Sequence, residues 1–222
     1  MTIAERISQI RQDIPASVRL IAITKQVPIE AMRAAYAAGL RDFGESRVQE
    51  AQVKQLALTD LTDITWHFIG KLQSNKARKA LELFKWIHSV DSLKLAQQLD
   101  KLSAENNYQI KVCLQVKIAD DPQKTGWTVP QLWTDLPALD TCKNLQLCGL
   151  MTIPPMGLNE TQTKSVFDRT YNLLKEIQTK NWSNLQQMQQ LSMGMSNDYK
   201  QAIASGSTMV RLGRILFGER LQ

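Results

Sequence analysis

Eight short apolar, β-branched runs recur along this 222-residue chain, at 18–24, 41–46, 64–70, 86–90, 109–118, 145–153, 189–194 and 208–213, and few folds use that many. Between them lie segments such as 28–39, 92–106 and 160–180, with apolar residues at three- and four-residue spacing, the periodicity of a helix with one buried face. Strand and helix therefore alternate. The first five runs begin at 18, 41, 64, 86 and 109, a repeat that holds one strand and one crossover helix, and no Gly/Ser/Pro-rich linker interrupts it. Eight βα units are the number that closes a (β/α)8 barrel, whereas an open doubly wound sheet usually has fewer strands and a Gly-rich dinucleotide turn after the first. Here that turn reads TKQVP. The expectation is an α/β TIM barrel, one domain over 1–222, with an extra N-terminal helix outside it or capping its bottom.

Composition excludes several alternatives. With 43% hydrophobic and 22% charged residues, 10 Gly and 7 Pro, the chain has ordinary globular usage. No apolar stretch approaches a membrane span, and the N-terminus, MTIAERISQIRQDI, is charged and helical, unlike a signal peptide. A cytoplasmic protein without membrane contact is expected. Cys113, Cys142 and Cys148 are odd in number and form no CxxC pair, so reduced, mostly buried thiols are expected. His67 and His88 are the only histidines and lie 21 residues apart, which argues against a histidine-built metal site. The formal charge of +6 is uneven: residues 71–85 carry Lys71, Lys76, Arg78, Lys79 and Lys85 against Glu82 alone. Such a segment can bind phosphates or be a solvated helix face, and the second is the first choice.

In a barrel, function sits where strands end at their C-terminal face. The first run closes on Lys25, after apolar and small residues. There, partial desolvation favours the neutral amine that attacks aldehydes; by position alone, a lysine whose head reaches water is the first choice. The seventh run leads into SMGMSNDYKQAI, where Ser192, Gly194 and Ser196 precede a helix that Asn197 or Asp198 could cap. That turn suits an anion, or is an ordinary capped loop. The eighth run delivers Arg211 toward the mouth or the interior, and Gly213 permits close backbone approach. Loops after strands seven and eight of barrels frequently bind phosphate. An aldehyde-reactive lysine opposite such a cup describes a pyridoxal 5'-phosphate (PLP) site.

The segments AITK, FGES with RVQE, WHFIGKLQSNK, GLMTI, LSMGMSNDYKQAI and VRLGRILFG, in that order, closely resemble the pyridoxal phosphate homeostasis proteins, and the resemblance covers nearly the whole chain. It implies the fold of the alanine racemase N-terminal barrel, PLP fold type III. It also implies that Lys25 holds PLP as an internal aldimine, that Met195, Ser196, Gly213 and Arg214 grip its phosphate, and that Arg211 faces the pyridine nitrogen. A permanent cation there disfavours ring protonation and weakens the ring as an electron sink. Many members read GENY where this chain has Gly44, Glu45, Ser46 and Arg47, so Ser46 or water takes over a contact to the ring hydroxyl. Met151 and Ile153 line the pocket wall or belong to the core, and His67 reads as a satisfied interior histidine. The expected cofactor-binding set is Lys25, Ser46, Met151, Ser192, Met195, Ser196, Arg211, Gly213 and Arg214, with no catalytic residue and no metal ligand.

The function implied is PLP homeostasis: holding PLP or other B6 vitamers and buffering or delivering them to acceptor enzymes, without catalysis of its own. Racemases of this fold add a C-terminal β domain with a tyrosine base, and the sequence ends at Gln222. A monomer is the matching expectation. The alternative is a single-domain racemase or other fold-type III enzyme, which needs a second base opposite Lys25, from Tyr199 or His67. A nucleic-acid-binding module ranks last, since only 6% of residues are aromatic and no recognition motif appears.

Overall fold

The computed structural model describes residues 1–121 and 123–218. In chain order the strands are β1 (Arg19–Ile23), β2 (Asp42–Glu45), β3 (Thr65–Phe68), β4 (Trp86–Val90), β5 (Ile110–Lys117), β6 (Trp127–Thr128), β7 (Leu145–Met151), β8 (Gln190–Ser192) and β9 (Met209–Leu212). The helices are α1 (Ile3–Asp13), α2 (Ile29–Ala37), α3 (Val48–Ala57), α4 (Ala77–Leu83), α5 (Leu93–Asn106), α6 (Val129–Leu139), α7 (Glu160–Gln178), α8 (Tyr199–Ala204) and α9 (Arg214–Phe217). All pairings are parallel, and because β1 pairs with both β2 and β9 while β4 pairs with β5, eight strands close into a ring. β6 is the exception. It adds two residues beside the end of β5 and was not expected from the sequence, because its pairing depends on β5 running past β7.

The two-residue period of a strand sorts each wall into two faces. Ile21 and Ile23 of β1 point inward to Trp86, Cys113, Met151 and Met209, which fill the barrel. Ala22, Phe43, Phe68, Ile87 and Leu114 point outward and pack under the helices, in the larger core. Gly149 lets two strands meet: a Cβ there would stand 1.7 Å from the Gln190 carbonyl oxygen. It also faces the register shift between Val112 and Cys113 on β5.

α1 lies outside the barrel, against α2 and α9. A reciprocal cap between Thr2 and Glu5 starts it, and Ile7 and Ile10 form its buried stripe. The basic segment is one 3-10 turn (Ser74–Lys76) followed by α4, which buries Ala77, Ala80 and Leu81. Arg78 donates to Asn106 Oδ1 and Lys79 pairs with Glu82, both at 2.8 Å, as on a solvated face.

Candidate functional site

Strand ends β1, β2, β3 and β7 and the loops after β8 and β9 surround a cavity of about 770 Å³. Lys25, Ser46, Met195, Ser196, Arg211, Gly213 and Arg214 all line it, so seven of the nine expected residues meet in one place. Ile23, Ile69 and Ile153 supply apolar wall, and the β7–α7 loop from Pro154 to Leu158 forms one lip. Met151 and Ser192 are elsewhere. Met151 is 1% exposed inside the barrel, one step along β7 from the wall. Ser192 is wholly buried and supports Arg211 from below.

The chain on both sides of Lys25 is clamped. Thr24 Oγ1 donates to Glu45 Oε1 at 2.6 Å, and the Thr24 carbonyl accepts from Lys54 Nζ at 2.5 Å. Gln26 has a left-handed backbone, φ 59°, and its N–H donates to Glu50 Oε1 at 2.5 Å. Lys54, on α3, ties the two together, bonding Glu45 Oε1 at 2.8 Å and Glu50 Oε1 at 2.7 Å. Burial raises the Glu45 carboxyl above its usual range, opposed by Lys54 and Thr24. Burial also pushes Glu50 up, but bonds from Lys54 and the Gln26 amide outweigh it and hold it below the usual range. None of Glu45, Glu50 and Lys54 was singled out from sequence. The available signal was a glutamate closing an apolar strand and an acid and base four apart on the next helix.

Arg211 is 4% exposed. Its Nη1 donates to the Ser192 carbonyl at 2.5 Å and to Ser192 Oγ at 2.7 Å, and its Nη2 donates to the Thr152 carbonyl at 3.0 Å. Burial lowers its pKa to about 10, with the Asp198 charge opposing, so it stays a cation at neutral pH. Beside it, Gly194, whose carbonyl accepts from the Arg211 N–H at 3.0 Å, adopts φ 95°, and a Cβ there would come within 2.6 Å of Ala202 Cβ. Only glycine takes that backbone without strain, and the chain can then turn from β8 toward α8. Asp198 does not cap α8 with its side chain. Its Oδ1 instead accepts from the Met195 N–H at 2.5 Å, while burial raises the carboxyl above its usual range.

The arrangement can hold a phosphorylated aldehyde: a half-buried amine, a loop amide already bonded to a carboxylate oxygen, a buried guanidinium and an apolar wall. The loop amide of Met195 shows that this turn accepts an anionic oxygen, which a phosphate could supply in place of Asp198. His67 is the satisfied interior histidine expected, bonded to Asp42 and His88. Cys113 and Cys142 are buried and Cys148 is partly so, all three free. Among the described residues, no cluster of three or more metal-ligating side chains occurs.

The family described as alanine racemase, N-terminal domain, matches residues 1–221. A relative named pyridoxal phosphate homeostasis protein, from Synechocystis sp., is 51% identical over 96% of this chain and 97% of its own length. The chain belongs to the pyridoxal phosphate homeostasis proteins, on the alanine racemase N-terminal fold. A second relative of that name, from Pseudomonas aeruginosa, is 42% identical over 99% of this chain and 96% of its own. The solved structure of PipY from Synechococcus elongatus with PLP bound is 48% identical, with a TM-score of 0.93 over 98% of this chain and 100% of that one. An alanine racemase from Clostridium difficile is 13% identical, with a TM-score of 0.76 over 100% of this chain and 57% of that one, a likeness of fold alone.

Proposed function

We propose that this chain binds PLP, holds it as a Schiff base on Lys25, and buffers or delivers it within the cell rather than transforming amino acids. The observation that carries the reading is the meeting of Lys25, Arg211 and the loops after β8 and β9 in one cavity. When bound, PLP supplies an aldehyde carbon for a neutral amine and an electron-withdrawing ring. The clamp on Thr24 and Gln26 aims Lys25 into the cavity. Met195, Ser196, Gly213 and Arg214 take the phosphate, Ser46 reaches the ring hydroxyl, and Arg211 faces the ring nitrogen. A buried cation at that nitrogen keeps the ring unprotonated, which suits a carrier better than a carbanion-stabilising enzyme.

Placement of the second base also favours a carrier. Tyr199 lies outside this cavity and donates its hydroxyl to Asp13 Oδ2 at 2.9 Å. His67 is wholly buried, with both ring nitrogens bonded. Neither of these two candidates lines the cavity with Lys25, which favours the carrier over the racemase.

The binding unit in this reading is a monomer, with residues 1–222 acting as one unit in the cytoplasm. Among the described residues, no helix is long and apolar enough to cross a membrane. The protein with added PLP is expected to absorb near roughly 420 nm, to lose that band on borohydride reduction, and to carry the label on Lys25 in peptide maps. A protein that stays colourless, or a label on another lysine, overturns the reading. Racemisation of alanine above the rate of free PLP would favour the enzyme.

A further inference from the structure

A line of buried polar groups runs through the barrel interior and ends at Arg211. His67 Nε2 meets Asp42 Oδ1 at 2.9 Å, and His67 Nδ1 meets His88 Nε2 at 2.9 Å. His88 Nδ1 meets Ser192 Oγ at 2.8 Å, and Ser192 Oγ accepts from Arg211 Nη1 at 2.7 Å. Both histidines are wholly buried, and burial lowers their pKa values, so both rings are neutral.

Neutral rings and fixed ends leave one direction for the protons. The Asp42 carboxylate only accepts, so His67 carries its hydrogen on Nε2 and offers a bare Nδ1. His88 must then donate from Nε2, which leaves its Nδ1 as an acceptor for the Ser192 hydroxyl. Ser192, having given its hydrogen away, presents lone pairs to Arg211, which only donates. Each bond strengthens the next, because a group that donates becomes a better acceptor. A cation buried with neutral acceptors is thereby coupled to a carboxylate on the far side of the barrel.

We propose that Asp42, His67, His88 and Ser192 are positioning residues for Arg211, forming a one-way hydrogen-bond chain that locks the guanidinium beneath the cavity. Its effect on PLP rests on the function proposed above; its effect on Arg211 does not. Trp86, stacked on His67 at 5.9 Å, and Arg19, 3.8 Å from Asp42, flank the chain without interrupting it.

The test begins with the PLP-free protein and nitrogen NMR of its side chains. Both imidazoles are expected as the neutral Nε2–H form at neutral pH, each titrating below the ordinary histidine range because it is buried. Asp42→Asn permits the chain to reverse, because an amide can donate as well as accept. The His88 ring signals should then show the second tautomer, although His88 does not touch residue 42. Arg211 side-chain hydrogen exchange and guanidinium rotation should quicken by roughly two- to fivefold in Asp42→Asn and more in Ser192→Ala, with Ser192→Thr restoring the slower rate. Arg19→Gln, which removes the flanking ion pair and the cation over Trp86 but no bond of the chain itself, should leave the His88 tautomer and the Arg211 dynamics unchanged. In the PLP-loaded protein, the absorption maximum should move in Asp42→Asn and Ser192→Ala and return in Ser192→Thr.

A His88 ring that is cationic or protonated on Nδ1 in the wild type overturns the chain. Wild-type Arg211 dynamics in folded Asp42→Asn and Ser192→Ala overturn the positioning role. If the NMR results are as expected but the protein takes up no PLP, the cofactor reading fails and the chain stands.

Discussion

Lys54→Met removes the cation that joins the two sides of Lys25. In the native protein the Lys54 side chain is 8% exposed and Glu45 is wholly enclosed. Lys54 Nζ bonds the Thr24 carbonyl, Glu45 and Glu50 at 2.5, 2.8 and 2.7 Å. Glu45 Oε2 already lacks a partner. Without the lysine, Glu45 keeps only the Thr24 hydroxyl and must stay charged in an apolar place or bind a proton. Breaking a buried ion pair from one side costs about 3–5 kcal/mol, against about 0–1 kcal/mol for an exposed pair. For a chain of this size that is a fall in Tm of about 6–20 °C. Thermal melts by circular dichroism read it directly.

The pH dependence has a definite sign. Glu45 has a folded pKa above its unfolded value, so the native state binds that proton more tightly, and acidification through the folded value relieves the burial of its charge. Glu50 has a folded pKa below its unfolded value, so the stability it gives the wild type is present above the unfolded value and lost as pH falls through the folded one. Both effects make the deficit of Lys54→Met largest near neutrality and smaller in acid. Adding Glu45→Gln should recover part of the loss, because the second change removes the stranded charge. A deficit under about 1 kcal/mol, or one that grows in acid, would refute the view that this is a buried ion network.

Lys25→Ala should abolish the borohydride-sensitive band while leaving the circular dichroism spectrum intact, since Lys25 is half-buried at the mouth of the cavity. Gly194→Ala should cost about 1–3 kcal/mol and weaken PLP binding, because its φ of 95° and the 2.6 Å approach to Ala202 Cβ leave no room; unchanged melting and binding would contradict that geometry. A thiol reagent at mildly alkaline pH should label Cys148 first, because it alone of the three is only partly buried: burial raises its thiol as it does the other two, but Cys113 is wholly buried and Cys142 is 3% exposed with its thiol pushed up to about 11. Equal labelling rates would show that the barrel opens as readily as its surface. Sedimentation at micromolar concentration should give a mass near 25.2 kDa, and twice that would refute a monomer.

Much of this architecture was legible in the chain because it is local. The alternation of 18–24, 41–46 and the later runs with helical segments reports which face of each element is buried, and eight such units have one economical closure. Lys25 and the loops at 193–198 and 213–214 could be assigned to the mouth because strand direction fixes which end they occupy. Met151 and Ser192 were harder. Each is the last residue of its strand, and whether a side chain there reaches the cavity depends on how far the sheet has twisted and tilted at that level.

The two polar networks could not be read from the sequence. His67 and Ser192 meet His88 across separations of 21 and 104 residues, and Lys54 reaches Thr24 across 30. Nothing in the periodicity of either segment names the other, since apolar spacing records which side is inside but not what stands opposite. Closing the barrel brings the strand interiors face to face, and there every buried donor needs an acceptor. The sequence by itself determined the barrel, the end at which its cavity opens, and the lysine placed there. The tertiary structure decided which polar groups share the interior, and through them how Lys25 and Arg211 are held.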